Sequence, residues 1–291
     1  MRITILGSGT SHGIPVIGCD CAVCRSGDRR DRRRRASIYV EGEAGERFVV
    51  DTGCDFRAQA LSAGIHRLDA VFLTHAHADH LHGLDDLRPL TWDGPLPVYA
   101  NRETLADLCE RFAYVFKETQ RGGGKPNLAP QVIDAPRTLA GITVTPLAVK
   151  HGALDVLGYV FTEAGISAAY ITDCSQLPAA ACARVQTCDT LVIGALREKE
   201  HPTHYNFSQV FALLAALCTT GGDCRLRRVY FTHISHETSH ADIEKRAAAW
   251  LAASSLPLLS IAPGSDMLRL DIGHADGAPH PSPAGFGYFY G

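Results

Sequence analysis

The chain has 291 residues, of which 46% are hydrophobic and 20% are charged. This composition is close to that of ordinary globular proteins, so it excludes a disordered chain, a collagen-like repeat and a coiled coil as descriptions of the whole. The 28 Lys and Arg residues are nearly balanced by 31 Asp and Glu residues, for a formal charge of -3. Because this charge provides no broad positive field, we expect no strong nucleic-acid binding.

No apolar run in the sequence approaches the roughly 18 to 20 residues that span a bilayer. The opening residues 1–9 are too short and too polar a stretch for a signal peptide. We therefore expect no membrane partner and a cytoplasmic location. Because thiols stay reduced in the cytoplasm, the 10 cysteines are not expected to form a disulfide scaffold.

Short runs rich in β-branched and aromatic residues alternate with amphipathic helical runs along the chain. The predicted strands are residues 2–7, 36–40, 47–51, 70–74, 96–99, 142–149, 158–162, 168–172, 190–194, 228–232 and 258–261. Capping boxes at Asn206 and Ser239 begin the two clearest helices. Since the sequence shows no repeat and no convincing linker, residues 1–270 are predicted to form a single domain.

Two stretches interrupt this regular pattern. The glycine-rich residues 121–126 predict a mobile loop, which is either a lid or a tolerated surface insertion. Residues 271–291 are rich in Gly, Pro, Ala and His and predict a loosely ordered tail.

The strongest functional signal follows the apolar segment 71–74, where the sequence continues as HAHADH. His75, His77, Asp79 and His80 form an H-x-H-x-D-H pattern. Imidazole and carboxylate groups suit borderline divalent metals such as Zn or Mn. Alternation at the strand end directs His75 and His77 to one side, while Asp79 and His80 point to a second position. The pattern therefore predicts a metal site with two positions.

This motif resembles the metallo-β-lactamase superfamily. The resemblance implies an α/β (α+β) fold, a four-layer αββα sandwich of two mixed sheets flanked by helices, with two metals at the sheet edges. Each metal would be held by residues at strand ends. The first would be bound by His75, His77 and His151, the second by Asp79, His80 and His233, with Asp173 bridging both. Taken alone, Asp173 also suits a turn and His151 a surface cap.

A compact cysteine cluster gives a second metal signal. Cys19, Cys21 and Cys24 lie within the segment GCDCAVC, a spacing that suits a structural zinc lacking one ligand. His236 is the candidate fourth ligand, because it follows His233 by three residues. A redox role is the weaker alternative, since the motif is not a lone C-x-x-C.

The remaining cysteines show no ligand spacing. They are expected to be small buried or partly buried side chains without chemistry. They are Cys54, Cys109, Cys174, Cys182, Cys188, Cys218 and Cys224.

The segments GCDCAVC, HAHADH and THISHE together resemble the PhnP-type phosphoribosyl cyclic phosphodiesterases of phosphonate breakdown, over roughly residues 3–266. The resemblance implies a possible homodimer that opens a small ribosyl 1,2-cyclic phosphate by attack of a hydroxide bridging two Mn or Zn ions. It also implies Asp79 and His204 as catalytic residues. His204 would protonate the leaving oxygen or contact the phosphoryl group, and His201 is its competitor for substrate binding.

Two other functions stay open. A nuclease or cyclic-nucleotide phosphodiesterase of the same fold would require the arginine run at residues 29–35 to face the site. Because Asp28 and Asp31 interleave with the arginines, we expect a solvated loop, although one or two of them could hold a terminal phosphate. A non-hydrolytic PqqB-like protein of a cofactor pathway would share the cysteine cluster but has no need of both metals.

Two shorter motifs are expected beside the metals. The glycine-containing residues 7–13 lack the spacing of a dinucleotide-binding loop, so we interpret them as a loop near the metal site. Asp51, Thr52 and Gly53 follow a predicted strand, and Asp51 is expected to support the metal-binding histidines unless the segment is a plain turn.

Overall fold

The computed structural model describes residues 1–117, 124–219 and 224–273. The strands are β1 (Arg2–Gly7), β2 (Ser37–Glu41), β3 (Arg47–Val50), β4 (Ala70–Phe72), β5 (Leu96–Ala100), β6 (Leu128–Val132), β7 (Arg137–Leu139), β8 (Ile142–His151), β9 (Leu154–Glu163), β10 (Ile166–Ile171), β11 (Thr190–Gly194), β12 (Arg228–Thr232), β13 (Ser260–Pro263) and β14 (Leu268–Asp271). The helices are α1 (Phe56–Ala63), α2 (Ala78–Leu81), α3 (Arg102–Arg111), α4 (Ala113–Phe116), α5 (Ala179–Gln186), α6 (Phe207–Thr219) and α7 (His240–Ala253).

The described strands form two sheets of 7 strands each. The first has the order β14-β1-β2-β3-β4-β5-β6, and the second has the order β13-β12-β11-β10-β9-β8-β7. In both sheets parallel and antiparallel pairs occur together: β3 to β6 pair in parallel, as do β10 to β13, while the other pairs are antiparallel. The prediction of two mixed sheets is therefore confirmed.

Aromatic side chains fill the space between the two sheets. Phe72 of β4 is fully buried, and its ring lies 5.6 Å from Phe48, 5.2 Å from Tyr99, 5.3 Å from Tyr159 and 5.9 Å from Phe161. Rings from both sheets therefore pack against one another, and their burial contributes to the attraction between the sheets.

Helices cover the outer face of each sheet. Phe56 of α1 and Leu108 of α3 pack against the first sheet. Val185 of α5, Leu214 of α6 and Ala247 of α7 pack against the second sheet. The resulting order of layers, helix, sheet, sheet, helix, confirms the four-layer αββα prediction. Among the described helices, none combines the length and apolar character needed to cross a membrane.

The sequence locates the central strands better than the edges of the sheets. β6, β7 and β14 were not predicted, and each lies at the edge of a sheet. β6 includes Pro130 and is half-exposed over most of its length, and β7 has two exposed residues. Because an edge strand buries less side-chain surface and tolerates proline, its apolar pattern is weak.

The capping residues begin the two helices as predicted. The Asn206 backbone N–H donates to Gln209 Oε1 at 2.9 Å, and the Gln209 N–H donates to Asn206 Oδ1 at 2.8 Å, which closes a capping box before α6. Ser239 Oγ accepts from the backbone N–H of Asp242 before α7.

The predicted glycine-rich loop lies outside the described residues at 121–123, and the predicted tail does so from residue 274.

The arginine run is only in part the solvated loop expected from its charge pattern, since Arg29, Arg30 and Arg32 are exposed but Arg33 is buried. Arg33 is only 2% exposed, and its guanidinium donates to Ser8 Oγ at 2.8 Å and to the Gly264 carbonyl at 2.6 Å. Arg35 pairs with Asp55 at 3.1 Å. The solvated interpretation is therefore wrong at Arg33. Charge alone cannot distinguish a solvated arginine from one that is buried with acceptors.

Replacement of Phe72 by Ala tests the contact between the sheets. Because Phe72 is fully buried among four rings, Phe72→Ala is expected to lower the free energy of unfolding by about 3 to 5 kcal/mol. Trp92→Ala is the control, since Trp92 is 78% exposed and its loss is expected to cost less than about 0.5 kcal/mol. Denaturant titration measures both. Equal losses in the two variants would contradict this packing.

Candidate metal centre

The candidate site lies where the carboxyl ends of strands from both sheets meet. β4 leads toward His75, β8 ends at His151, β10 leads toward Asp173, and β12 leads into His233. In the second sheet β8, β10 and β12 run in one direction, so their last residues reach the same edge. The Tyr159 hydroxyl of β9 donates to a backbone carbonyl just after β4 at 2.7 Å, which joins the two sheets at this edge.

The first group of potential ligands consists of His75, His77, His151 and Asp173, whose ligand atoms all lie within 4.8 Å of one another. Asp173 Oδ2 is 3.8 Å from His75 Nε2 and 3.7 Å from His151 Nε2. His77 Nδ1 is 2.9 Å from His75 Nε2. His77 is exposed, whereas the other three are buried, so this group opens toward solvent through His77.

The second group consists of Asp79, His80 and His233, again within 4.8 Å. Asp79 Oδ2 lies 3.1 Å from His80 Nε2 and 3.6 Å from His233 Nε2. Asp173 Oδ1 lies 3.3 Å from His80 Nε2 and 3.2 Å from His233 Nε2. One oxygen of Asp173 therefore faces each group, so the structure places this carboxylate between the two.

Burial and close charges shift the pKa values of these side chains in opposite directions. Burial alone would raise the pKa of Asp173, but His233 and His80 hold it well below its ordinary value. Burial and repulsion by His80 keep the pKa of His75 well below its ordinary value. Burial opposes the charged form of His80 as well, but Asp79 and Asp173 raise its pKa well above normal.

The donor atoms fit divalent metal ions. His80 Nε2 and both ring nitrogens of His233 are buried and have no hydrogen-bond partner, which is costly unless something else binds them. Neutral imidazole and carboxylate together suit Zn, Mn and similar ions. The two groups are therefore chemically suited to hold one ion each.

Asp51 orients the imidazole of His80 through the ring nitrogen that faces away from the other ligands. Its carboxylate accepts from His80 Nδ1 at 2.7 Å, from the Thr74 N–H at 2.8 Å and from Thr74 Oγ1 at 2.8 Å. Because His80 Nδ1 donates to Asp51, Nε2 is left to face the site. The sequence analysis expected this support from Asp51, and the structure shows the contact.

The turn after Asp51 allows no side chain at Gly53. A Cβ at Gly53 would lie 1.8 Å from the carbonyl oxygen of Asp79, so only glycine fits there. The Thr52 N–H donates to the His80 carbonyl at 2.8 Å. The Asp51–Gly53 segment is therefore packed directly on the backbone that carries Asp79 and His80.

A second backbone support comes from the segment before α6. His151 Nδ1 donates to the Thr203 carbonyl at 2.8 Å, so its Nε2 faces Asp173. This contact could not be predicted from the sequence, because any residue type can supply a backbone carbonyl as acceptor. Thr203 thus orients one ligand and places the following residue, His204, at the site.

His204 lies beside both groups of ligands. Its Nε2 is 3.9 Å from Asp173 Oδ2, and its ring stacks on His233 at 4.8 Å between centroids. Its ligand atom also lies within 4.8 Å of those of Asp173 and His233. Burial and the nearby His233 lower the pKa of His204 to about 3, so its imidazole is neutral at physiological pH. His201 is farther out, with its ring 5.0 Å from that of His204.

A groove of about 270 Å³ opens beside His77. Glu103 and Asp107 of α3 line one wall, and Asp155 of β9 lines the other. Arg111 also lines the groove and donates to the Ala76 carbonyl, which lies between the first two histidines of the motif. Sequence reasoning did not single out this helix, because its polar residues look like an ordinary solvated face.

The cysteine cluster converges on one histidine nitrogen. His236 Nδ1 lies 3.3 Å from Cys19 Sγ, 3.4 Å from Cys21 Sγ and 3.5 Å from Cys24 Sγ. The backbone N–H of Cys24 donates to Cys21 Sγ, and this bond, with the contact to His236, lowers the pKa of Cys21 to about 6. Three thiols and one imidazole at these distances suit a closed structural zinc site.

The prediction for the other cysteines is partly wrong. Cys54 and Cys109 are exposed rather than buried. Both were expected to be buried or partly buried, but the sequence spacing of a cysteine does not indicate whether its thiol is exposed. Cys218 and Cys224 contact each other through their sulfur atoms, a pairing that the sequence analysis did not consider.

Comparisons with known proteins agree with this geometry. A family model described as the beta-lactamase superfamily domain matches residues 46–234. A crystal structure of a diphosphatase from the PhnP family superimposes with a TM-score of 0.79 and 36% identity, covering 93% of this chain and 97% of that one. Zn²⁺-bound PqqB from Methylobacterium extorquens superimposes with a TM-score of 0.74 and 21% identity, covering 93% of this chain and 100% of that one.

A curated relative is an octanoyltransferase from Porphyromonas gingivalis, 44% identical over 211 residues. The match covers 72% of this chain but 42% of that protein. Because the chain spans less than half of this relative, the activity in its name does not transfer with the match.

Replacement of Cys21 by Ser tests the cysteine site. Three converging thiols are needed to close it, so Cys21→Ser is expected to lose about one equivalent of zinc per chain. Cys54→Ser is the control, because Cys54 is exposed and lies outside this cluster. Elemental analysis of the purified proteins measures the difference. Equal zinc contents would rule out this site.

Replacement of Asp51 by Asn tests the support behind His80. Asn keeps the volume but removes the charged acceptor of His80 Nδ1, so metal affinity is expected to fall about 10- to 100-fold. The control is Asp93→Asn, since Asp93 is exposed. Titration of Mn or Zn against a chelator measures the dissociation constants. Unchanged affinity in Asp51→Asn would show that the contact does not orient the ligand.

Proposed function

Because the chain belongs to the metallo-β-lactamase superfamily, and within it to the PhnP family, we propose that it is a metal-dependent phosphodiesterase. The observation that carries this proposal is the position of Asp173, with one carboxylate oxygen facing each group of ligands. Such an arrangement suits two ions held close together. Two bound divalent ions would polarise a phosphoryl group and activate water for an in-line displacement.

Residues of the chain itself supply negative charge and hydrogen bonding at the site. Asp79 is ionised, because His80 and His233 outweigh its burial and lower its pKa below the ordinary range. It is therefore an anion that can serve as a metal ligand. His204 is neutral and lies next to both groups, so it can donate a hydrogen bond to a phosphoryl or leaving oxygen. His201, one ring farther out, is better placed to contact substrate than to act on the phosphorus.

The proposed substrate is a small ribosyl cyclic phosphate. The groove beside His77 supports this choice, since Glu103, Asp107 and Asp155 line it and carboxylates accept hydrogen bonds from sugar hydroxyls. A diphosphate ester is the second candidate, because a similar member of the PhnP family is described as a diphosphatase. Both substrates place phosphorus at the metals and a sugar in the groove.

The other two functions have weaker support. A nuclease would need free cationic side chains for a long polyanion, but Arg33 is buried and Arg35 and Arg30 are paired with acids. The likeness to PqqB, at 21% identity, extends to the fold alone. The presence of both ligand groups, with Asp173 between them, favours hydrolysis over a binding role.

An assay of the metal-loaded protein tests the proposal. The substrates are bis(p-nitrophenyl) phosphate, a 2′,3′-cyclic nucleotide and a dinucleotide joined by a diphosphate. Hydrolysis of the first two that requires added Mn or Zn is expected, with Asp173→Ala reducing kcat by at least about 1000-fold. His204→Ala is expected to retain bound metal and to lose about 100-fold in kcat.

Four results would change or overturn the proposal. Hydrolysis of the diphosphate alone would select the second candidate. Hydrolysis that survives in Asp173→Ala would contradict the shared carboxylate. Loss of metal from His204→Ala would make His204 a ligand rather than a hydrogen-bond donor to substrate. A protein that holds its metals and cleaves none of these substrates would overturn the phosphodiesterase assignment.

A further inference from the structure

A pair of cysteines meets at the end of α6 that points away from the metal centre. Cys218 lies in the last turn of α6, and its Sγ is 3.1 Å from Sγ of Cys224. The two residues are only 6 positions apart, and both are partly buried. Their sulfur atoms therefore form a local contact that the metal chemistry described above does not use.

The pair is held in place by contacts on both sides. Gln186, the last residue of α5, donates through Nε2 to the Leu217 carbonyl at 2.7 Å. The Gln186 carbonyl accepts the N–H of Arg225 at 2.9 Å. Because Leu217 precedes one cysteine and Arg225 follows the other, Gln186 keeps the two thiols together.

The geometry suits a disulfide better than a metal site. Two thiolates that share a zinc at about 2.3 Å each lie about 3.8 Å apart, and such a site needs further ligands. The sulfur atoms here are closer than that, and the candidate metal-binding groups of the described residues include neither cysteine. Closing the gap to the bond length of about 2.05 Å requires a shift of about 1 Å.

We propose that Cys218 and Cys224 form a reversible redox modification site, a dithiol that low-molecular-weight disulfides such as oxidised glutathione convert to an intramolecular disulfide. This proposal is independent of the phosphodiesterase assignment.

The reaction balances in two exchange steps. The thiolate of one cysteine attacks oxidised glutathione, forms a mixed disulfide and releases one glutathione thiolate. The second cysteine, as its thiolate, then attacks the protein sulfur of that mixed disulfide, and the second glutathione leaves as a thiolate. Two electrons pass from the cysteine pair to glutathione, and the two thiol protons go to solvent or to the released thiolates.

The local environment of the two cysteines makes this thiol–disulfide exchange slow. Burial and the neighbouring Cys224 thiol raise the pKa of Cys218 to about 12, so its thiolate is scarce at neutral pH. Exchange over hours is therefore the expected timescale. The product would join the end of α6 to the segment that enters β12, while the site residues at the other ends of these elements stay unmodified.

Peptide mapping of the metal-loaded protein tests the proposal. The protein is incubated with oxidised glutathione, then unfolded in guanidinium with iodoacetamide and digested with trypsin. Peptide 200–225 contains Cys218 and Cys224 and no other cysteine. It is expected to lose two hydrogen masses, to escape alkylation and to become doubly alkylated once dithiothreitol is added before iodoacetamide.

Cys182 and Cys188 are a matched internal control, because they are also six positions apart. Each donates instead to a backbone carbonyl, Cys182 to Leu177 at 3.5 Å and Cys188 to Arg184 at 3.4 Å. Both thiols are expected to remain reduced and therefore to be alkylated by iodoacetamide. In Cys218→Ser or Cys224→Ser the remaining thiol is expected to carry one glutathione, because the second exchange step has no attacking group.

The proposal fails if peptide 200–225 is alkylated to the same extent as the control cysteines after exposure to oxidised glutathione. It also fails if the wild-type peptide accumulates glutathione adducts on both cysteines, because a competent pair would expel glutathione. Activity assays do not enter this test, so its outcome is distinct from that of the phosphodiesterase assay.

Discussion

The structure depends on burying one ionised carboxylate, Asp173, among imidazole groups. A charge this deeply buried costs several kcal/mol unless it is paired on every side. Here His80 and His233 face one oxygen, and His75 and His151 face the other. His75 and His80 follow β4 of the first sheet, whereas His151 and His233 lie at strand ends of the second, so the carboxylate can be satisfied only when both sheets are assembled. Because the ligands become organised only in the folded chain, metal binding and folding are thermodynamically coupled here.

The ligands are positioned by backbone groups and by residues that do not touch the metal positions. Asp51 orients His80, the Thr203 carbonyl orients His151, and the absence of a side chain at Gly53 lets its turn pack on the segment that carries Asp79. These supports come from rigid strand ends and a helix entry, which hold a side chain more exactly than a long loop does. The residues that build the site therefore come from more of the chain than the ligands alone.

The sequence predicts best those features whose residues lie together in short segments. HAHADH and GCDCAVC are contiguous, and the central strands carry continuous apolar runs, so both could be identified without coordinates. His151, Asp173 and His233 could be assigned only through the resemblance to a family, since each alone is an ordinary residue at a strand end. Contacts such as Arg33 with Ser8, or Cys218 with Cys224, could not be predicted. They depend on tertiary neighbours, which are not encoded in local residue type.

The segment from the end of β12 to the first residue of α7 connects parts of the molecule that are distant in sequence. Within eight residues it presents His233 to Asp173, His236 to the cysteine cluster and His240 to the buried Arg33. His233 has a positive φ of 54°, a conformation that an L-residue adopts only at a cost and keeps only when its neighbours impose it. The contacts of His236 and His240 lie three and seven residues away and anchor the same segment to the amino-terminal loop. The cysteine cluster therefore has a structural reason to lie so close to the candidate metal centre: it holds the backbone that puts His233 in place.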